Sequence, residues 1–126
     1  MAKEALVDID VVRGRELLDA LDQAKVPVPV AFWLRNEEYD EWRLILATPW
    51  YGPKGSPNPF LDLARAIPHK DHLIDDLHVA LKTMQNPLIK SLRSIFGRTK
   101  SVEGMRLGAQ MIGGIWVDDA YVYRIK

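Results

Sequence analysis

Val28-Pro29-Val30-Ala31-Phe32-Trp33-Leu34-Arg35 and Trp42-Arg43-Leu44-Ile45-Leu46-Ala47 are the two runs that decide the fold. In the first, period two puts Val28, Val30, Phe32 and Leu34 on one face and Ala31 and Trp33 on the other. The polar insert Asn36–Glu41 has the length of a turn, so the runs read as an antiparallel hairpin. Pro29 has no amide proton for a ladder and belongs at an edge or at the very start of its strand. The second run empties into Thr48-Pro49-Trp50-Tyr51-Gly52-Pro53-Lys54-Gly55-Ser56-Pro57-Asn58-Pro59, with four prolines, two glycines and two adjacent aromatics. A rigid hairpin carrying an aromatic-tipped, proline-stiffened loop is a means of presenting a contact surface. It identifies no chemistry.

Upstream, Val11, Leu17, Leu18, Leu21 and Ala24 follow a helical stripe, predicting a helix over 11–25 with Asp10 as its N-cap. Gly14 weakens its first turn by up to ~1 kcal/mol, and Val26-Pro27 ends it because proline disfavours a helical residue before it. Downstream, Asn58-Pro59 opens a second helix with Phe60, Leu63, Ala64 and Ile67 on its apolar face, closed by Pro68. The span 76–84 fits two patterns: Leu77, Val79 and Leu81 alternate as in a strand, while Leu73, Leu77, Leu81 and Met84 fit a helix. A strand is preferred, since the span lies between two other elements and ends in Gln85-Asn86-Pro87. Asn86-Pro87 repeats the helix-start chemistry, with Leu88, Ile89, Leu92, Ile95 and Phe96 as the buried face and Gly97 as the stop. The rest reads as strands over 105–111, 114–117 and 120–125, with Asp118-Asp119 as a turn or bulge. The expected fold is one α+β domain over 1–126, a mostly antiparallel sheet with about three helices packed on it.

A chain of 126 residues fits one domain and buries enough surface to need no staples. With 48% hydrophobic and 27% charged residues it has the composition of an ordinary globular protein rather than a disordered one. The absence of cysteine excludes disulfides, thiolate zinc sites and cysteine nucleophiles. The first ten residues carry no apolar stretch of signal-peptide length, and no run approaches the ~20 apolar residues of a membrane helix. The expected address is the cytoplasm. Seventeen bases balance seventeen acids, which removes any global electrostatic case for nucleic acid. Residues 1–41 nevertheless hold five bases and ten acids, and residues 87–126 hold seven and three. That polarity orders an oligomer if the two ends lie apart, and is internal pairing if they lie side by side.

Ala31-Phe32-Trp33-Leu34, Glu41-Trp42-Arg43-Leu44-Ile45-Leu46-Ala47-Thr48-Pro49 and Asp119-Ala120-Tyr121-Val122-Tyr123-Arg124 resemble segments of small bacterial proteins of unknown function. The resemblance runs through most of the chain in order, and the proline loop after Pro49 departs from it. These are structural segments, so the likeness implies a bacterial cytoplasmic setting and no chemistry.

Several constellations compete for function. His69, His72, Asp75 and Asp76 fall in a segment holding all three histidines, a workable nitrogen and oxygen ligand set for zinc or manganese in a metal-dependent hydrolase or nuclease. No His-Glu-x-x-His spacing accompanies them, and polar residues also crowd connections for solvation alone. Asp118-Asp119 with Glu103 and Arg106 could form a nuclease carboxylate pair, but adjacent aspartates on a strand point to opposite sides, which favours a polar turn. Lys90, Arg93, Arg98 and Lys100 could touch phosphates, or could be the solvent side and C-terminal end of one helix. The glycine-bearing segments lack phosphate-loop spacing, and no Gly-x-Ser-x-Gly or dinucleotide fingerprint is present.

The leading expectation is therefore a non-enzymatic protein-interaction module with no cofactor, its partner another protein or a second copy in a homodimer. Trp50 and Tyr51 are the expected contact centre, with Trp33 as support on the outward hairpin face. The competing role for the pair, favoured because loops often seal a small core, is to fold back and cap it. The alternatives are the metal-dependent hydrolase and weak nucleic-acid binding through the basic 90–106 segment.

Overall fold

The two runs of the hairpin become β1 (Val30–Arg35) and β2 (Arg43–Ala47), paired antiparallel with Val30 opposite Ala47 and Trp33 opposite Leu44. The computed structural model describes Leu6, residues 8–35 and residues 41–126, so most of the expected turn, at 36–40, lies outside the described residues. Around the hairpin the chain builds α1 (Asp8–Gln23), α2 (Pro59–Ala66), α3 (His72–Asp76), β3 (Ala80–Lys82), α4 (Pro87–Phe96), β4 (Arg106–Ile112) and β5 (Ile115–Ile125). The strands form one sheet in the order β3-β2-β1-β5-β4. Every neighbouring pair is antiparallel except β2 and β3, which run parallel. The α+β expectation holds, with a mixed sheet and a fourth, five-residue helix.

Both faces of the sheet are covered at the hairpin, whose two faces are both apolar. Ala31, Trp33, Leu44 and Leu46 pack against Leu17, Leu18 and Leu21 of α1, Leu63 of α2 and Leu73 of α3. Val30, Phe32, Leu34, Ile45 and Ala47 pack against Leu88, Ile89 and Leu92 of α4. Full burial of each Val, Leu, Ile or Phe among them contributes about 1.5–3 kcal/mol. The alternation within β1 follows the period-two reading, but there is no outward hairpin face. Trp33 is only 2% exposed. Pro29 sits one residue before β1, where its carbonyl accepts from Lys126 N–H at 3.0 Å, the start-of-strand role that proline permits in a central strand.

Four boundaries differ from the sequence reading. The first helix starts earlier, so Asp10 lies inside α1 and is buried rather than capping it. It ends in a Schellman turn: Lys25 N–H donates to Asp22 C=O, Val26 N–H donates to Leu21 C=O, and Lys25 takes φ +62°. The span 76–84 divides instead of forming one strand. Leu77 closes α3, and only Ala80–Lys82 pair with β2. The end of the chain is one hairpin rather than three strands, turning at Gly113-Gly114, both with positive φ. Asp118-Asp119 are therefore not a turn but lie within β5. The strand is nonetheless irregular there: Ile115 and Val117 before the aspartates, and Ala120 and Val122 after them, all face the α4 side despite opposite parity. Ala109, at φ +49°, marks the same break in β4.

Both Asn-Pro starts are confirmed. Asn58 Oδ1 accepts from Leu61 N–H, and Asn86 Oδ1 accepts from Leu88 and Ile89 N–H. Phe60 and Ile95, expected on buried faces, are 44% and 58% exposed. Each sits one residue in from a helix end. Among the described residues no helix is long and apolar enough to cross a membrane.

Candidate functional site

The loop between β2 and α2 is built, not slack. Thr48, fully buried, receives Trp50 N–H on its hydroxyl at 3.2 Å, while Tyr51 N–H donates to the Thr48 carbonyl. Gly55 N–H reaches Gly52 C=O at 3.0 Å, and Ser56 N–H reaches Trp50 C=O at 2.7 Å. Gly55 has to be glycine, since a Cβ there would lie 2.2 Å from the Trp50 carbonyl oxygen. Ser56 Oγ donates to Asp62 and accepts from Asn58 N–H, tying the loop to the first turns of α2. Four prolines and this bonding hold the backbone in one conformation.

Within that frame the two aromatics separate. Trp50 is half-buried and packs on the α1–α2 core, so it anchors the loop. Tyr51, the next residue, is 41% exposed. Phe60 and Leu61, at the start of α2, are also large apolar side chains open to solvent. Beside Tyr51, a cleft of about 520 Å³ opens between the loop and the turn after β3, lined by Pro49, Tyr51, Pro53, Lys54, Thr83 and Met84 among others.

The other expected sites come apart. His69 and His72 are exposed, Asp76 pairs with Arg13 at 2.6 Å, and His78 Nδ1 lies 3.2 Å from a Glu41 oxygen. The nearby Lys70 pairs with Glu16 at 3.0 Å. No three histidine, aspartate or glutamate side chains converge on a metal position among the described residues. The carboxylates near the C-terminus likewise have separate partners. Asp119 binds Arg106 through two hydrogen bonds of 2.6 and 3.3 Å, Asp118 accepts from Trp116 Nε1, and Glu103 pairs with Arg15. Lys90, Arg93, Arg98 and Lys100 are all exposed, and Arg93 Nε donates to the Lys126 carbonyl at 2.7 Å.

One part of the charge polarity is internal pairing, because α1 lies against the C-terminal strand. Arg124 grips Asp22 with bonds of 2.9 and 2.6 Å and also donates to the Val28 carbonyl. Those bonds hold the Asp22 carboxyl below its ordinary range and raise the Arg124 guanidinium. Under the same helix, Tyr123 is buried, and that burial pushes its phenol well above the usual range.

Two features of this site were not found in the sequence. The cleft is invisible there because Thr83 and Met84 reach Tyr51 only through the parallel pairing of β2 and β3. The need for glycine at 55 follows from a carbonyl contact, not from composition. No family model, curated protein or solved structure matches the chain, so its own geometry carries the functional argument.

Proposed function

We propose that this protein is a non-catalytic cytoplasmic binding module that meets a protein partner through the loop after β2, with Tyr51 as the contact centre and a second copy of the chain as the partner. The observation that carries this reading is the rigid presentation of Tyr51 beside its buried neighbour Trp50. A tyrosine held on a pre-ordered backbone loses little entropy on docking, and tyrosine is a favoured interface anchor. Phe60 and Leu61 extend the exposed apolar surface at the start of α2. Trp33 is withdrawn from the contact, being buried, and Trp50 serves it indirectly as the anchor. The absence of cysteine agrees with a reducing compartment.

Sedimentation velocity over a concentration series tests the reading. Wild type is expected to self-associate, and Tyr51→Ala with Phe60→Ser to weaken that association by about tenfold or more. Folding should be nearly unaffected, as both side chains are substantially exposed. A wild type that stays monomeric rules out the second copy. A large loss of monomer stability in Tyr51→Ala assigns the ring to the core instead.

One further reading retains an observation in its favour. Lys90, Arg98 and Lys100 are exposed and form no ion pair among the described residues, which supports weak phosphate-backbone contact. Nucleic-acid binding that strengthens at low salt and fades when Lys90 and Arg98 are neutralised would be its signature.

A further inference from the structure

We propose that the cleft between the loop after β2 and the turn after β3 binds a small planar monocarboxylate. The inference goes beyond the contact reading above and needs no protein partner.

The location comes from topology. β2 and β3 are adjacent and parallel, so their carboxyl ends open on the same edge of the sheet. The chain leaving β2 enters α2, which packs on one face through Leu63. The chain leaving β3 enters α4, which packs on the other through Leu88, Ile89 and Leu92. Where consecutive connections depart to opposite faces, a crevice forms outside the strand ends, and ligands of open sheets bind in such crevices. The cleft lies there, and its volume of about 520 Å³ suits a small molecule.

Its lining gives the chemistry. Pro49, Pro53 and the Tyr51 ring supply stiff apolar walls, the ring offering a face for stacking, and Met84 adds an adaptable, polarisable one. Thr83 and Gln85 add neutral hydrogen-bonding groups. Lys54 is the one charged residue in the lining, and it has no ion-pair partner among the described residues. One lysine matches a single negative charge. No helix start adds to the charge of Lys54, since both neighbouring helices begin with proline and the Leu61, Leu88 and Ile89 amides are taken by Asn58 or Asn86. A flat monoanion fits this lining, and an aromatic carboxylate is the simplest of that kind.

The walls are also pre-set. Gly52 takes φ +127°, and a Cβ on it would touch the Thr83 methyl at 3.5 Å, so the loop and the turn already meet at this point. Binding therefore requires little rearrangement.

The test follows backbone amide shifts while benzoate or naphthoate is titrated into isotope-labelled full-length protein, with acetate, benzyl alcohol and inorganic phosphate as comparison probes. Saturable shifts confined to Gly52, Gly55, Thr83 and Gln85 are expected with the aromatic carboxylates. Lys54→Met, an exposed loop change, should weaken them by about tenfold or more, the equivalent of one charge-assisted hydrogen bond. Benzyl alcohol binding as tightly as benzoate overturns the anion assignment, and acetate doing so overturns the planar one. Phosphate shifting the same amides as strongly overturns the choice of carboxylate, and no shift at all overturns the site. Phe60→Ser is expected to weaken self-association while leaving carboxylate binding intact, so the two readings fail separately.

Discussion

Trp33 Nε1 donates to Tyr123 Oη at 2.8 Å, and that hydroxyl donates in turn to the Val11 carbonyl at 2.6 Å. A central strand, the last strand and the first helix are joined through one phenol. The register makes it so: β1 and β5 shift by one residue after Ala31, leaving Tyr123 as the extra residue of a bulge. Tyr121 packs edge-on against Tyr123, with ring centroids 5.4 Å apart.

Tyr123→Phe should destabilise the fold by about 1–3 kcal/mol, because it leaves the buried Trp33 N–H without its acceptor. Urea unfolding measures this. A change near zero would mean that water replaces the hydroxyl and that the bond contributes little.

Gly14→Ala should also destabilise, against the usual preference for alanine in a helix of ~1 kcal/mol. The added Cβ would sit 2.2 Å from Tyr123 Oη. The two positions are therefore coupled, and Gly14→Ala should be better tolerated in a Tyr123→Leu background. A double-mutant cycle that is additive within ~0.3 kcal/mol would refute the contact.

Acid should weaken the fold through Asp22. Its carboxyl titrates lower when folded than when unfolded, because it accepts from Arg124. The contribution is thus present above the unfolded value of about 4 and lost as pH falls through the folded one. Asp22→Asn should lower neutral stability by less than about 1 kcal/mol, since the carboxylate is 43% exposed, and should flatten the acid limb. Melting temperature against pH for both proteins decides the point. An equally steep acid limb in the variant excludes Asp22 as its source.

Lys25→Gly should stabilise the protein by about 1 kcal/mol, because the lysine occupies a left-handed C′ position that glycine adopts without a Cβ clash. Thermal unfolding checks the direction. Destabilisation instead would mean that the lysine side chain makes a contact worth more than the backbone strain.

The local chemistry read well wherever a short pattern suffices. The two Asn-Pro helix starts, the hairpin and its alternation follow from spacing and from what asparagine and proline do to a backbone. Short patterns mislead where a partner distant in sequence makes the decision. In a lone hairpin Trp33 falls on an outward face. Pairing with β5 makes β1 a central strand, and α1 covers it. The span 76–84 carried both periods because it contains both structures, α3 ending at Asp76 and β3 beginning at Ala80.

Candidate sites followed the same division. Composition singled out the loop from Thr48 to Pro59, since its prolines, glycines and aromatics are visible one by one. Its use depends on the fold: Trp50 turns into the core, Tyr51 turns out, and Thr83 and Met84 arrive from the neighbouring parallel strand to close a cleft. The histidine and aspartate segment was equally visible but finds its partners on α1 and near β2. Backbone preferences act over a few residues and can be read in order along the chain. Side-chain burial and cleft formation depend on strand pairings across some ninety residues, such as Trp33 with Tyr121, which only the folded chain brings together.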